Sequence, residues 1–101
     1  MAITHSVFLK TIGTDEAVLE ALDSVRQLVG VIPGVLTFEA GKYSSPEGLN
    51  RGYTWGFTMV IADAASRDAY LIHPAHFVAA AKVVAVCEGG VNDVFAFDYE
   101  K

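Results

Sequence analysis

Only two stretches of this chain carry helical periodicity, and four carry strand alternation, in the order β-α-β-β-α-β. Two helices can cover one face of a four-stranded sheet and no more. That order points to an α+β, ferredoxin-like split βαβ arrangement: an antiparallel sheet with both helices on one side.

The first strand spans residues 5–10, with His5, Val7 and Leu9 on one face and Ser6, Phe8 and Lys10 on the other. Thr14-Asp15-Glu16 caps the first helix, in which Ala17, Val18, Ala21, Leu22, Val25, Leu28 and Val29 recur at helical spacing. About four turns are expected before Gly30 and Pro33-Gly34 end it. The second strand spans residues 35–40, and residues 42–52, rich in Ser, Pro, Gly and Asn, read as a long mobile loop. Residues 53–61 are the clearest strand, with Tyr53, Trp55, Phe57, Met59 and Ile61 large and the positions between them small. Residues 91–99 are expected to form the last strand. Phe95, Phe97 and Tyr99 share one of its faces, and Val94, Ala96 and Asp98 the other.

The second helical stretch is bent. Asp63 is placed to cap its start, and Pro74 disfavours the αR conformation at His73, so the first part should stop near Ile72. Pro74 fits the first position of a continuation that carries Phe77, Val78, Ala81 and Val84 to about Val86. His73 is then a corner residue capping the new helix. His76 falls in its first turn, with a ring aimed by a rigid corner.

The strands leave a surplus of apolar surface. Phe8, Phe95, Phe97 and Tyr99 lie on the sheet face that the helices cannot reach. Hydrophobic residues make up 52% of the 101, slightly more than an ordinary domain of this size uses. Pairing two such sheets face to face would hide the patch, so an isologous homodimer forming an α/β barrel is expected.

Several function classes are disfavoured. The net charge is −5 and the seven basic residues are scattered, which is unlike a nucleic-acid partner. No apolar run approaches the roughly 18 residues of a membrane span, and the opening residues have no signal-peptide charge pattern. A cytoplasmic protein is expected. The single Cys87 reads as a small buried hydrophobe. His73 and His76 are separated by a corner and joined by no Cys or carboxylate cluster, so no metal is expected. Gly89-Gly90 follows a helix and precedes a strand, the reverse of a phosphate cradle, and no cofactor is expected.

A set of short pieces in register resembles the stress-responsive A/B barrel (Dabb) family over nearly the whole chain. They are His5 with its apolar strand, Ile32-Pro33-Gly34-Val35, Gly41 followed by Ser45-Pro46-Glu47, and Gly52-Tyr53-Thr54. Asp68-Ala69-Tyr70, His73-Pro74-Ala75-His76 and Phe97-Asp98-Tyr99 complete the set. The resemblance implies one domain over residues 1–101 and the dimeric α/β barrel. It does not imply one activity, since members range from stress-induced proteins that form very stable assemblies to polyketide cyclases such as olivetolic acid cyclase. In the cyclase-like members a tyrosine and a histidine do the chemistry, and these correspond here to Tyr70 and His76. Members often carry a histidine two residues after the Gly-Tyr of the third strand. This chain has Trp55 there.

A neutral imidazole at His76 could take a proton from carbon beside a carbonyl, while Tyr70 donates a hydrogen bond to the developing oxyanion. The cavity is expected between sheet and helices, lined by His5, Val7, Leu9, Leu22, Val25, Trp55, Phe57, Val94 and Ala96 along with the catalytic pair. Ala79 and Ala80 leave room in it. The expected ligand is a small hydrophobic carbonyl or phenolic compound, turned over by cofactor-free cyclase or isomerase chemistry. Two rivals are a non-enzymatic stress or scaffold protein acting through stable oligomerisation and a cofactor-free monooxygenase-like enzyme.

Overall fold

The computed structural model describes residues 1–101. Its elements are β1 (Ile3–Leu9), α1 (Asp15–Arg26), β2 (Val35–Lys42), β3 (Trp55–Ile61), α2 (Ala64–Leu71), α3 (Pro74–Ala85) and β4 (Val94–Glu100). The strands form one sheet in the order β2-β3-β1-β4, and every neighbouring pair is antiparallel. This is the ferredoxin-like arrangement, with the second helix divided into α2 and α3.

Alternation decides which side of the sheet is buried. Ile3, His5, Val7 and Leu9 of β1, and Trp55, Phe57, Met59 and Ile61 of β3, point at the helices and are buried. Val18, Ala21, Leu22 and Val25 of α1 return the contact from one helical stripe. On the opposite side Phe8, Phe95, Phe97 and Tyr99 are between 42% and 56% exposed.

α1 starts where its cap predicts: the Thr14 hydroxyl accepts from the Ala17 N–H at 3.1 Å, and Asp15 and Glu16 sit at the positive end of the helix dipole. Replacing Thr14 by alanine should cost about 1 kcal/mol, which thermal unfolding would show as a fall of about 4–8 °C. An unchanged midpoint would mean that the cap contributes nothing. The helix ends at Arg26, earlier than its apolar spacing suggests, because Leu28 and Val29 donate to carbonyls three residues back and the last turn tightens.

The corner forms as Pro74 dictates. His73 is extended (φ −72°, ψ 136°), its Nδ1 accepts from the Ala75 N–H at 3.0 Å, and Pro74 opens α3.

All four strands differ in their bounds from expectation, and β1 runs from Ile3 to Leu9, not over residues 5–10. β3 begins at Trp55, not Tyr53, because the Tyr53 N–H and carbonyl are both taken by Asn50. β4 begins at Val94, because residues Gly90–Asp93 close a 3₁₀ turn in which the Gly89 N–H donates to Asp93 Oδ2 at 2.6 Å. β2 extends through Lys42 and carries a bulge between Val35 and Thr37. The segment between β2 and β3, expected to be mobile, is cross-tied: Tyr43 donates to the Thr54 carbonyl and Gly48 donates to the Tyr43 hydroxyl.

Candidate functional site

A cavity of about 210 Å³ lies between the sheet and the helices. His5 and Val7 reach it from β1, Phe57 from β3, Val94 and Ala96 from β4, and Val25 from α1. Tyr70 enters from α2 and His76 from α3. The two residues on either side of the Pro74 corner therefore do meet, with ring centroids 4.5 Å apart. Helical phase alone does not show this; the corner folds α3 back so that its first turn faces the last turn of α2.

Three expected lining residues are elsewhere. Leu9 and Trp55 face each other on the next rung of the sheet beyond Val7 and Phe57, and both belong to the packed core with Leu22 of α1. Their places around the cavity are taken by Leu71, Ala79, Ala80, Val83, Val84 and Val91. Ala79 and Ala80 could be anticipated from their size. Val91 could not, because its apolar side chain beside Val94 suits a strand and the 3₁₀ turn that presents it depends on Asp93 holding Gly89.

The polar groups are few. Tyr70 is 2% exposed and its hydroxyl makes no hydrogen bond within the chain; burial, with a smaller contribution from the Asp98 charge, pushes its pKa up to about 12. It is a proton holder at neutral pH. Burial also lowers the pKa of His76, His5 adds to the effect, and the Leu71 backbone opposes it without completing a hydrogen bond. The His76 Nδ1 is buried with no partner. Nε2 is the nitrogen left open.

His5 is held differently. Its Nδ1 lies 2.5 Å from Asp98 Oδ1, directly across the β1–β4 ladder. Arg67 of α2 holds the other carboxylate oxygen at 3.0 Å and bonds Asp68 at 2.8 Å. His5 also packs edge-on against Tyr70 at 5.9 Å and Phe57 at 6.2 Å. Asp98 is the polar residue of this site that the sequence reading did not single out. Its signals in the sequence are a carboxylate on the inward face of an apolar strand and its place in the Phe97-Asp98-Tyr99 piece.

His73 is spent on capping α3, and no group of three or more His, Cys, Asp or Glu side chains comes together to hold a metal. Cys87 is buried, donates to the Val83 carbonyl, and has its thiol pKa raised by burial. It is a core residue.

A larger, more open hollow of about 660 Å³ lies on the far face of the sheet, between Phe8, Phe95, Tyr53 and the segment joining β2 to β3. It contains no histidine and lies across the sheet from the His5, Tyr70 and His76 rings. Size favours it as a site, but chemistry favours the smaller cavity.

A dimeric ferredoxin-like protein of unknown function from Jannaschia sp. CCS1 is similar at 29% identity, with all of both chains covered and a TM-score of 0.89. The hydroxynitrile lyase of Passiflora edulis has a TM-score of 0.81 at 16% identity, covering 97% of this chain and 91% of that one. A cofactor-independent oxygenase from Streptomyces nogalater gives 0.78 at 10% identity, covering 99% and 92%. These two likenesses establish a shared fold and nothing about activity. Among proteins of curated function none matches. The model of the stress responsive A/B barrel domain matches residues 3–101, and the chain belongs to that family, Dabb.

Proposed function

We propose that this protein is a homodimer, paired through the far face of its sheet, that binds a small hydrophobic carbonyl or phenolic compound in the cavity between sheet and helices. The observation that carries the reading is the meeting of the Tyr70 and His76 rings, with His5, in a space whose other walls are apolar. At about 210 Å³ the space is below the roughly 300–1,000 Å³ of drug-sized sites and suits a compound of about one ring. Relatives described as dimeric and the exposed Phe8, Phe95, Phe97 and Tyr99 support the pairing.

The chemistry proposed is cofactor-free. His76, kept neutral by burial, takes a proton from carbon beside the carbonyl through Nε2. The electron pair of that C–H bond moves to the carbonyl oxygen, and the Tyr70 hydroxyl, still protonated, donates to the enolate. The imidazolium then returns its proton to carbon, giving isomerisation; where the compound carries a second carbonyl, the enolate carbon instead bonds to that carbonyl's carbon, its C=O π pair moves to oxygen, and the imidazolium protonates that oxygen, giving ring closure.

A thermal-shift screen against aromatic acids, phenols and short β-keto compounds tests the reading. A ligand at about a hundredfold its dissociation constant adds about 2.7 kcal/mol, a shift of many degrees for a domain of this size. The shift should vanish in His76→Ala, and His76→Phe should keep the dimer but abolish any turnover. Full activity in that variant would remove His76 from the mechanism.

A second reading, a scaffold acting through assembly, is favoured by Ile72, Phe77 and Val78, which are 57% to 73% exposed on the outer helix surface. A flat screen beside a mass above that of a dimer would support it.

A further inference from the structure

Asp98 meets His5 and Arg67 through different oxygens, so it presents only acceptors to both. A carboxylate that accepts from His5 Nδ1 fixes the proton on that nitrogen. In the neutral ring Nε2 then carries a lone pair. Nε2 has no protein partner and, unlike His76 Nδ1, is not sealed off; the ring that carries it lines the cavity beside Tyr70. The cavity thus offers a hydrogen-bond acceptor on the sheet side, at His5, and a donor on the helix side, at the Tyr70 hydroxyl.

We infer that His5, oriented by Asp98, is a specificity-determining residue that selects compounds bearing both a carbonyl and a hydroxyl. The carbonyl oxygen accepts from Tyr70 and the phenolic or enolic O–H donates to His5 Nε2. This deepens the reading proposed above and rests on the same cavity. Asp98 is a positioning residue: it touches the ring, not the ligand. Arg67 holds Asp98 in place, and neither Asp68 on the outer side of Arg67 nor His76 across Tyr70 competes for the His5 proton by a hydrogen bond.

The selection follows from unequal costs. A ligand hydroxyl gives Nε2 the donor it lacks within the chain, whereas a methyl ether brings a second acceptor against it and leaves both unpaired. The loss should be on the order of tenfold in affinity.

Three probes of similar size decide the matter: 3-hydroxyacetophenone, 3-methoxyacetophenone and acetophenone, titrated into the full chain by calorimetry. The hydroxyl compound should bind about tenfold more tightly than the ether. In His5→Phe the ratio of the hydroxyl to the ether affinity should fall to about one. Nitrogen NMR of the wild-type imidazoles should show the His5 proton on Nδ1, and Asp98→Asn should shift the tautomer toward Nε2–H and erode the preference. A purely structural Asp98 would not move that signal. Equal binding of hydroxyl and ether, or a wild-type proton on Nε2, would overturn the inference and leave the cavity reading standing. If none of the three binds, both are lost.

Discussion

Replacing Phe97 by aspartate should yield a folded protein that sediments with the mass of one chain, where the proposed homodimer predicts twice that mass for the wild type. Phe97 lies opposite Ser6 on the sheet face away from the helices and is 56% exposed, so the substitution removes nothing from the core. Its neighbours on that face are aromatic as well: Phe8 and Phe95 meet edge to face at 6.2 Å, and Tyr53 meets Phe95 at 5.9 Å. In an isologous interface the change enters twice, and it places two carboxylates in the desolvated centre. Central aromatic anchors are typically worth at least 2 kcal/mol each, so two copies should weaken association by roughly a thousandfold or more. Sedimentation equilibrium at micromolar concentration reads this directly, with circular dichroism confirming the fold. A wild type that is already monomeric, or a variant that stays dimeric, would show that another surface does the pairing or that none does.

The same aromatic residues show how much was legible in the sequence. Inward and outward faces of β1, β3 and β4 follow from a period of two; β3 alternates as that period requires, while Thr4 on the outward face of β1 is buried and Ala96 on the inward face of β4 is exposed. The corner was legible because a proline ring restricts its neighbour whatever the surroundings. Boundaries set by side chains were not: Asn50 holding Tyr53, and Asp93 holding Gly89, are bonds between residues whose types suit any loop. The cavity was partly legible, since Tyr70, His76 and His5 all line it. Leu9, Leu22 and Trp55 were misplaced because periodicity gives a face but not a position along it. Asp98 went unassigned because its partner is set by the β1–β4 register, which brings residues 93 positions apart within a hydrogen bond.

Tyr70 should make the protein lose stability in alkali by an amount that one substitution can isolate. Its pKa in the folded protein is pushed up to about 12, chiefly by burial and then by the Asp98 charge, against 10.0 for an ordinary tyrosine. Between those two values the unfolded chain gives up the proton while the folded one retains it. The folded state then binds more protons than the unfolded state, so stability falls as pH rises. The fall begins near pH 10 and is complete near pH 12, where both states are ionised. A gap of about two units corresponds to about 2.7 kcal/mol, a large part of the stability of a domain this small. Because the hydroxyl has no hydrogen-bond partner in the chain, Tyr70→Phe should be nearly neutral at pH 7 and should diverge from the wild type only above pH 10. The other three tyrosines and the lysines titrate in both proteins and cancel in the difference. Urea unfolding of the two proteins from pH 8 to 12 would measure it. If the two curves run parallel, Tyr70 meets water or a counter-charge that this cavity does not provide. A hydroxyl exposed to water would still hold its proton at neutral pH, but its hydrogen bond to a carbonyl gathering negative charge would be weaker than in a dry site. The alkaline limb therefore tests, without any substrate, whether the cavity is dry enough for the chemistry proposed for it.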